Sequence, residues 1–517
     1  MGAKIRAAIA GVLAAAMALG TGELVAGLVP GARSLIVVIG DATIDRVPSA
    51  VKEFAIATFG TNDKLALISG ILVVLTGVGA LLGLAAQRRF WLGAAGIVLL
   101  GAVGLAAALD NRLGGAASAA VPSVVGTLSA LVALRLLVRR AYPVRPPETS
   151  ANPDLERRAS LDRRTFLQAG GMAAAVAVGA GATGRWLQRR ASAAVNRVRV
   201  VLRPADRPLP PIPQAVTVGV DGVTPFFTPN AQFYRVDTAL EVPKVDVESW
   251  RLKISGMVDR PLELSFTDLQ RRELVEADIT LTCVSNEVGD KLLGTARWLG
   301  VRLVDVLRDA GIQPGADQVV GRSVDDYTCG FPVRDALDGR EALIAIGMNG
   351  EPLPPVHGFP ARLIVPGLYG YVSATKWLTE IELTTFEAFD QYWVPRGWDA
   401  LAPIKTQSRI DVPRAFAKLV PGPVAVAGVA WAQTRGIANV EIQVDDGPWM
   451  QARLAEPLND VTWRQWVYTW QATPGYHQIQ VRATDSTGQT QPEERATPFP
   501  NGATGWHQIV AQVASTA

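Results

Sequence analysis

The chain has 517 residues, a formal net charge of +3 and a composition that is 49% hydrophobic, with a mean hydropathy of +0.20. That balance is too apolar for an ordinary soluble protein and too weakly charged for a nucleic-acid binder, so a membrane part is expected. Only two cysteines, Cys283 and Cys329, occur in this length, which excludes a disulfide framework.

Taken in order, Ala7 to Val29, Leu65 to Ala86, Phe90 to Leu109 and Val121 to Val138 are each long and apolar enough to span a bilayer. Between the first two, Asp41, Asp45, Arg46, Lys52 and Glu53 mark an amphipathic loop with a surface helix, and these charges argue against a short further span around Leu35 to Ile39. Basic residues at Lys4 and Arg6, at Arg88 and Arg89, and from Arg135 through Arg145 to Arg164 keep the N-terminus in the cytoplasm and alternate the spans from there. Leu161 to Gln168 reads LDRRTFLQ and precedes a Gly/Ala-rich apolar run to Gly184, which looks like a twin-arginine export signal. Arg185, Arg189 and Arg190 stand where a cleavage site would need small residues, so this fifth segment is expected to stay as an anchor.

Two glycine patterns lie in the apolar part. Gly179 to Gly184 matches G-x-G-x-x-G but follows no strand, which excludes dinucleotide binding, and Gly79 with Gly83 makes a G-x-x-x-G suited to helix packing. His357, His477 and His507 all fall outside the apolar segments, so no bis-histidine haem is expected in the membrane.

Pro204, Pro208, Pro210, Pro211 and Pro213 make the stretch from Arg203 to Pro229 read as a stiff extended tether. A mixed α+β domain then opens around Asn230 to Asp237 and the strand from Trp250 to Gly256, with helices at Ser265 to Arg272 and Arg302 to Ala310. From Val424 onward, short alternating strands separated by Gly, Pro and Asn-Asp turns read as an all-β sandwich. The expected division is a membrane region of about four helices (1–140), a cytoplasmic loop with the arginine motif and fifth helix (141–202), a tether (203–229), a catalytic domain (230–400) and a β-domain (401–517).

Cys283 lies in TLTCVSN (Thr280 to Asn286), after the alternating run Ala277 to Leu281, and therefore at a strand-to-loop junction. Alone, it is a small buried apolar residue or a soft ligand for a redox-active metal. Together with ARWLGVRL (Ala296 to Leu303) and IAIGMNGEPLPPVHGFPARLIVPGLYGYVSATKWL (Ile344 to Leu378), its order and spacing resemble the sulfite oxidase family of molybdenum-cofactor enzymes. The resemblance runs from about Pro225 to the C-terminus, including that family's immunoglobulin-like dimerisation domain.

What the resemblance implies is an α-helical membrane anchor, an α+β sulfite-oxidase-type molybdopterin domain and a C-terminal immunoglobulin-like sandwich. It makes Cys283 the molybdenum ligand beside the pterin dithiolene. It assigns His357, Arg362 and Lys376 to the pterin and its phosphate, with Ser373 and Thr375 assisting; read from the residues alone, His357 is a loop histidine, and Arg362 and Lys376 are a solvated strand face. Arg235 falls near the family's pocket arginine. Tyr327 corresponds to a pocket tyrosine that hydrogen-bonds an oxo group or substrate and relays a proton; otherwise it is a core aromatic. Cys329 is a pocket-wall or buried thiol.

Two departures bear on substrate. Glu287 and Val288 follow Asn286 where sulfite oxidases place arginines, and Tyr468 lies near a position where the family often has one. The reading is a multi-pass protein of the cytoplasmic membrane, with its catalytic domain outside, that oxidises sulfite or another sulfur compound as a homodimer. Its cofactor is molybdenum-molybdopterin, no haem is expected, and electrons pass to a separate carrier or quinone-linked membrane protein. A sulfoxide reductase of the same fold and a cofactor-free binding or assembly module are the alternatives.

Overall fold

The computed structural model describes residues 2–29, 31–47, 51, 58–59, 63–110, 116–141, 154–193 and 200–515. Lys52, Glu53 and Arg145, used above for topology, lie outside the described residues. The chain forms two compact units, Met1–Val195 with Ala239–Val242, and Asn196–Thr238 with Pro243–Ala517.

The first unit contains the helices α1 (Ala3–Leu28), α2 (Leu35–Arg46), α3 (Asp63–Arg88), α4 (Phe90–Asp110), α5 (Ala116–Ala141) and α6 (Asp154–Ala193). Five of them, all but α2, are long and apolar enough to cross a membrane. With 12 residues, α2 reaches only about 18 Å at 1.5 Å per residue, short of a bilayer core. The arginine motif Arg163-Arg164 belongs to the continuous helix α6.

Hydrophobicity cannot draw helices together in lipid, so close backbone packing must, and α1 supplies it. A Cβ on Gly11 would lie 1.9 Å from the Gly79 carbonyl oxygen, and one on Gly83 would lie 2.0 Å from that of Ala7. The G-x-x-x-G of α3 therefore interlocks with α1. On the opposite pairing, a Cβ on Gly20 would meet the Ala177 oxygen at 2.2 Å, and one on Gly184 would meet the Glu23 oxygen at 2.3 Å. Of the dinucleotide-like glycines of α6, Gly184 thus packs closely on α1, Gly181 lies in ordinary contact with Gly20, and Gly179 meets nothing within 4 Å.

In the second unit, one sheet has the order β2 (Leu262–Ser265), β1 (Arg251–Gly256), β10 (Leu378–Thr384), β5 (Gln318–Ser323), β6 (Thr328–Pro332). A second joins β3 (Val275–Thr282), β4 (Leu293–Arg302), β7 (Leu343–Met348) and β8 (Glu351–Pro352), with β9 (Arg362–Ile364) paired to β7. Helix α7 (Phe266–Arg271) starts at a capping box made by Ser265 and Asp268. Helix α8 (Leu303–Ala310) stops at Gly311, whose φ of 71° suits glycine. The stretch from Asn230 to Asp237 is not a strand but an irregular segment.

Toward the C-terminus, β11 (Gln407–Val412), β13 (Gly422–Trp431), β17 (Arg464–Ala472) and β16 (Arg453–Leu454) form a four-stranded sheet. Strands β12 (Lys418–Leu419), β19 (His507–Val513), β18 (Gly475–Asp485), β14 (Ile437–Val444) and β15 (Met450–Gln451) form a five-stranded one. Val426, Trp466 and Trp470 from the first share a single buried cluster with Val440, Ile442, Ile479, Val481 and Ile509 from the second. The two sheets therefore face each other across one core, each aliphatic contributing about 1.5–3 kcal/mol. The Tyr468 hydroxyl donates to Met450 Sδ at 2.9 Å, which commits it to this β-domain.

The proline-rich stretch differs from the expected free tether. Asp206 N–H donates to the Leu274 oxygen at 2.8 Å and its carboxylate accepts from Leu274 N–H at 2.8 Å. Val218 N–H donates to Gln465 Oε1 at 2.9 Å, and Trp463 Nε1 donates to the Phe226 oxygen at 3.0 Å. The amides between the prolines need partners wherever they are covered, and they find them in this unit, so the stretch is a strap laid across it.

From the helix packing, Gly83→Leu should destabilise the α1–α3 pairing by about 2 kcal/mol or more, as overpacking against backbone does. Thermal unfolding in detergent checks this; an unshifted midpoint would show that the two helices do not meet at these glycines.

Candidate functional site

Cys283 stands one residue past β3, a strand buried along nearly its whole length. Cys283 N–H donates to the Leu292 oxygen at 2.9 Å, Asn286 N–H to the Cys283 oxygen at 3.1 Å, and Leu292 N–H to Asn286 Oδ1 at 2.8 Å. Asn286 therefore closes the loop that carries the thiol, and Glu287 is left exposed. Burial pushes the Cys283 thiol above its ordinary range, while hydrogen bonds from Ser285 and the Lys376 charge pull the other way.

The β-domain holds this strand from outside. Trp463 N–H donates to Thr280 Oγ1 at 2.8 Å, and Gln433 Nε2 donates to Thr282 Oγ1 at 3.1 Å. The two hydroxyls of Thr280 and Thr295 lie 2.5 Å apart across the β3–β4 ladder. Arg409 donates to the Asp290 oxygen at 2.7 Å, fixing the far end of the cysteine loop.

His357, Arg362 and Lys376 are brought together by Gly358. Its φ is 111°, and a Cβ there would lie 3.1 Å from the Lys376 Cα and 3.2 Å from the Arg362 Cβ. His357 Nε2 lies 2.8 Å from the Asn230 oxygen; a carbonyl only accepts, so Nε2 carries the proton and Nδ1 is an acceptor. Burial first, then the cations Arg362, Lys376 and Arg235, push this imidazole from 6.5 to about 4.

Arg362 is 5% exposed and donates only to backbone oxygens, those of His357 at 3.1 Å and Ala374 at 3.4 Å. Its Nε is buried with no partner, and among the described residues it makes no ion pair. Burial lowers its guanidinium to about 10. An uncompensated buried cation costs several kcal/mol unless an anion meets it, so this arrangement fits a bound anionic group such as a pterin phosphate.

Arg235 and Lys376 differ from Arg362 in having a partner. Arg235 Nε and Lys376 Nζ each lie 2.8 Å from Asp237 Oδ2, and the Asp237 side chain is 4% exposed. Burial lowers Lys376 to about 8, and Asp237 opposes that shift. Asp237 was not singled out from sequence; its spacing two residues after Arg235 was the available signal. Asp325 Oδ1 is buried without a partner, and burial followed by Asp237 raises this carboxyl.

Among the tyrosines, Tyr327 hydroxyl donates to the Tyr371 oxygen at 2.8 Å, and burial raises it well above its ordinary value. Its proton is thus directed at backbone, leaving the oxygen as an acceptor. The Tyr327 ring lies 5.4 Å from Tyr392, which lies 5.1 Å from Trp393, making an aromatic wall. Tyr234 was missed: it is partly buried, stacks on Phe233 at 5.2 Å between ring centroids, and is raised by burial and then by Cys283. Tyr369 is pushed up to about 12 for the same two reasons.

Ser373 and Thr375 do not present their hydroxyls as expected. Ser373 Oγ donates to the Tyr369 oxygen at 3.0 Å, and Thr375 Oγ1 lies 2.5 Å from Cys329 Sγ and donates to the Gly321 oxygen at 3.3 Å. Both hydroxyls serve the local backbone or Cys329. Cys329 is a buried thiol pushed up to about 11 by burial.

Comparison with known proteins adds to this geometry. Residues 239–393 match the oxidoreductase molybdopterin binding domain. Sulfite oxidase of Gallus gallus is 30% identical over 336 residues, which is 55% of this chain and 72% of that protein. Mitochondrial sulfite oxidase of Mus musculus is 30% identical over 356 residues, 59% of this chain and 63% of that protein. The chain thus spans about three fifths of the rodent relatives' length. Among solved structures, the sulfane dehydrogenase SoxCD from Paracoccus pantotrophus shares the fold at 21% identity and a TM-score of 0.50, covering 57% of this chain and 85% of that chain.

Two outcomes follow from the buried cations. Arg362→Met should raise the unfolding midpoint of the cofactor-free protein, by about 1 kcal/mol or more in stability, while molybdenum retained after purification falls; a lowered midpoint would mean that Arg362 is structural. Second, His357, together with His507, which burial and then Arg409 lower to about 4, binds fewer protons folded than unfolded. Their stability contribution is complete above pH 6.5 and lost as pH falls from 6.5 toward 4, at up to about 3 kcal/mol per unit for the pair. His477, held back by partial burial but raised by Asp445 and the Thr473 oxygen, works in the opposite sense. The unfolding midpoint against pH, flattened in His357→Gln, measures this.

Proposed function

The chain belongs to the sulfite oxidase family of molybdopterin-binding oxidoreductases, and we propose that it is a membrane-anchored enzyme whose catalytic unit works outside the cytoplasmic membrane. It oxidises sulfite or a related sulfur compound and passes electrons to a separate carrier or quinone-linked membrane protein. For sulfite the balance is one sulfite and one water giving sulfate, two electrons and two protons.

The observation that carries the reading is the buried, uncompensated Arg362, which Gly358 brings together with His357 and Lys376. The soft sulfur of Cys283 suits molybdenum, Arg362 supplies charge to the pterin tail with Lys376 beside it held by Asp237, and His357 donates from Nε2 to the Asn230 oxygen. When bound, the cofactor supplies two-electron exchange and oxygen-atom transfer. Tyr327, with its proton held by the Tyr371 oxygen, accepts a hydrogen bond from a protonated substrate or water.

A twin-arginine route suits this cargo, since a cofactor enclosed in a folded domain must cross the membrane folded. The packing of Gly184 on Glu23 and Gly20 on Ala177 favours retention of α6 as a fifth span. The paired sheets at the C-terminus are read as an immunoglobulin-like domain through which two copies associate. Reduction of a neutral sulfoxide is the second reading, favoured by Asp237, which offsets one of the two positive charges of Arg235 and Lys376. A cofactor-free binding module would leave Arg362 buried for no return.

Metal analysis of protein made in a host that assembles and exports the cofactor should give near-stoichiometric molybdenum. Artificial electron carriers then distinguish sulfite oxidation from sulfoxide reduction. Cys283→Ser should remove turnover and leave the fold intact, because it removes a ligand and little volume. Absence of molybdenum in the wild type would overturn the enzyme reading in favour of a binding module.

A further inference from the structure

We infer that Asp237 is a specificity-determining residue, the internal counter-ion that makes this site discriminate against dianions in favour of neutral or singly charged sulfur compounds. The inference rests on the family reading above and deepens it toward substrate class. Its observations are geometric. Asp237 Oδ2 lies 2.8 Å from Arg235 Nε and 2.8 Å from Lys376 Nζ, and Arg235 Nη2 reaches Oδ1 at 3.4 Å. The carboxylate is almost wholly buried while Arg235 is 39% exposed at its side chain. An exposed arginine is thereby anchored beside Lys376 by a nearly buried carboxylate that salt screens little.

The other acidic groups nearby do not take this role. Glu287 is exposed, so its charge is spent in solvent. Asp325 is half-buried with a partnerless Oδ1 and makes no ion pair with Arg235 or Lys376. Arg362 stays uncompensated, facing the cradle rather than pairing with any carboxylate among the described residues. The cations therefore divide: Arg362 is left for the cofactor's own charge, and the Arg235–Lys376 pair has already met one. A dianion entering beside Arg235 finds one net positive charge fewer than the same arginine and lysine would offer alone.

The test uses the molybdenum-loaded full-length protein and two probes, sulfate as a dianion and dimethyl sulfoxide as a neutral oxide, with dissociation constants read by calorimetry or thermal shift. Wild-type molybdenum content is measured first; its absence would overturn the enzyme reading and this assignment with it. In loaded protein, Asp237→Asn and Asp237→Ser should each shift the sulfate-to-dimethyl-sulfoxide affinity ratio by about tenfold or more toward sulfate. Asp237→Glu, which keeps the charge, should retain the wild-type ratio, and Glu287→Gln should shift it by less than about twofold. An unchanged ratio in both neutral variants at normal molybdenum content overturns the assignment. Loss of molybdenum from both, with Asp237→Glu loaded, also overturns it, because Asp237 would then position the cofactor instead of selecting the substrate.

Discussion

Everything at the candidate site depends on the immobility of one strand end. A thiol serves as a metal ligand only if its backbone cannot drift, and Cys283 lies just beyond β3, where a ladder would ordinarily fray. The fraying is prevented from two directions. Within the catalytic layer, Thr280 faces Thr295 and the Leu292 oxygen takes the Cys283 amide. From the β-domain, Trp463, Gln433 and Arg409 reach the strand and its loop. The C-terminal sheets thus contribute to the geometry of the site as well as to the bulk of the unit. The proline-rich strap completes the arrangement, since Phe226 and Thr224 tie it to Trp463 and Gln465, residues on or beside the same β-domain strand.

Charge is organised on the same rigid frame, and it is organised against stability. Burying Arg362 without a counter-ion and lowering Lys376 to about 8 both oppose folding at neutral pH, and holding His357 near 4 adds its cost only as pH falls below 6.5. The frame offsets this with apolar burial: Trp298, Phe359 and Leu363 are essentially inaccessible around the cradle, and Arg362 lies 5.3 Å from the Trp298 ring centroid, where the π face returns part of the lost solvation. A cluster that costs stability without a ligand is what a tightly held anionic cofactor requires, since binding then relieves the cost.

Much of this was legible in the residues, and the exceptions share one cause. Five helices long and apolar enough to cross a membrane, the strands around Cys283 and the two helices after Ser265 and Arg302 follow from periodicity and caps, which are local. The stretch from Arg203 to Pro229 reads as a tether because composition reports the missing proline donors and says nothing of partners up to about 250 residues away, such as Gln465 and Trp463. Glu287 drew notice because it neighbours the cysteine in sequence, yet the turn closed by Asn286 exposes it. Asp237 is the carboxylate that meets the cations, and only the fold brings it to Lys376, 139 positions away. Ser373 and Thr375 carried the right chemistry, but a hydroxyl's partner depends on its rotamer, and both rotamers turn to protein.

The membrane unit obeys the same logic with different forces. In lipid there is no gain from moving one apolar helix face against another, so recognition falls to backbone proximity, and α1 presents Ala7, Gly11, Gly20 and Glu23 at the approaches of α3 and α6. This gives glycine patterns that look like a nucleotide loop or a dimer motif a packing role within one chain. It also bears on the arginine motif. An export signal that is to be removed gains nothing from residues shaped to fit another helix, whereas α6 carries such residues at Ala177 and Gly184 and continues as one helix past both. The arginine motif therefore stands on a helix whose residues are shaped to pack against α1.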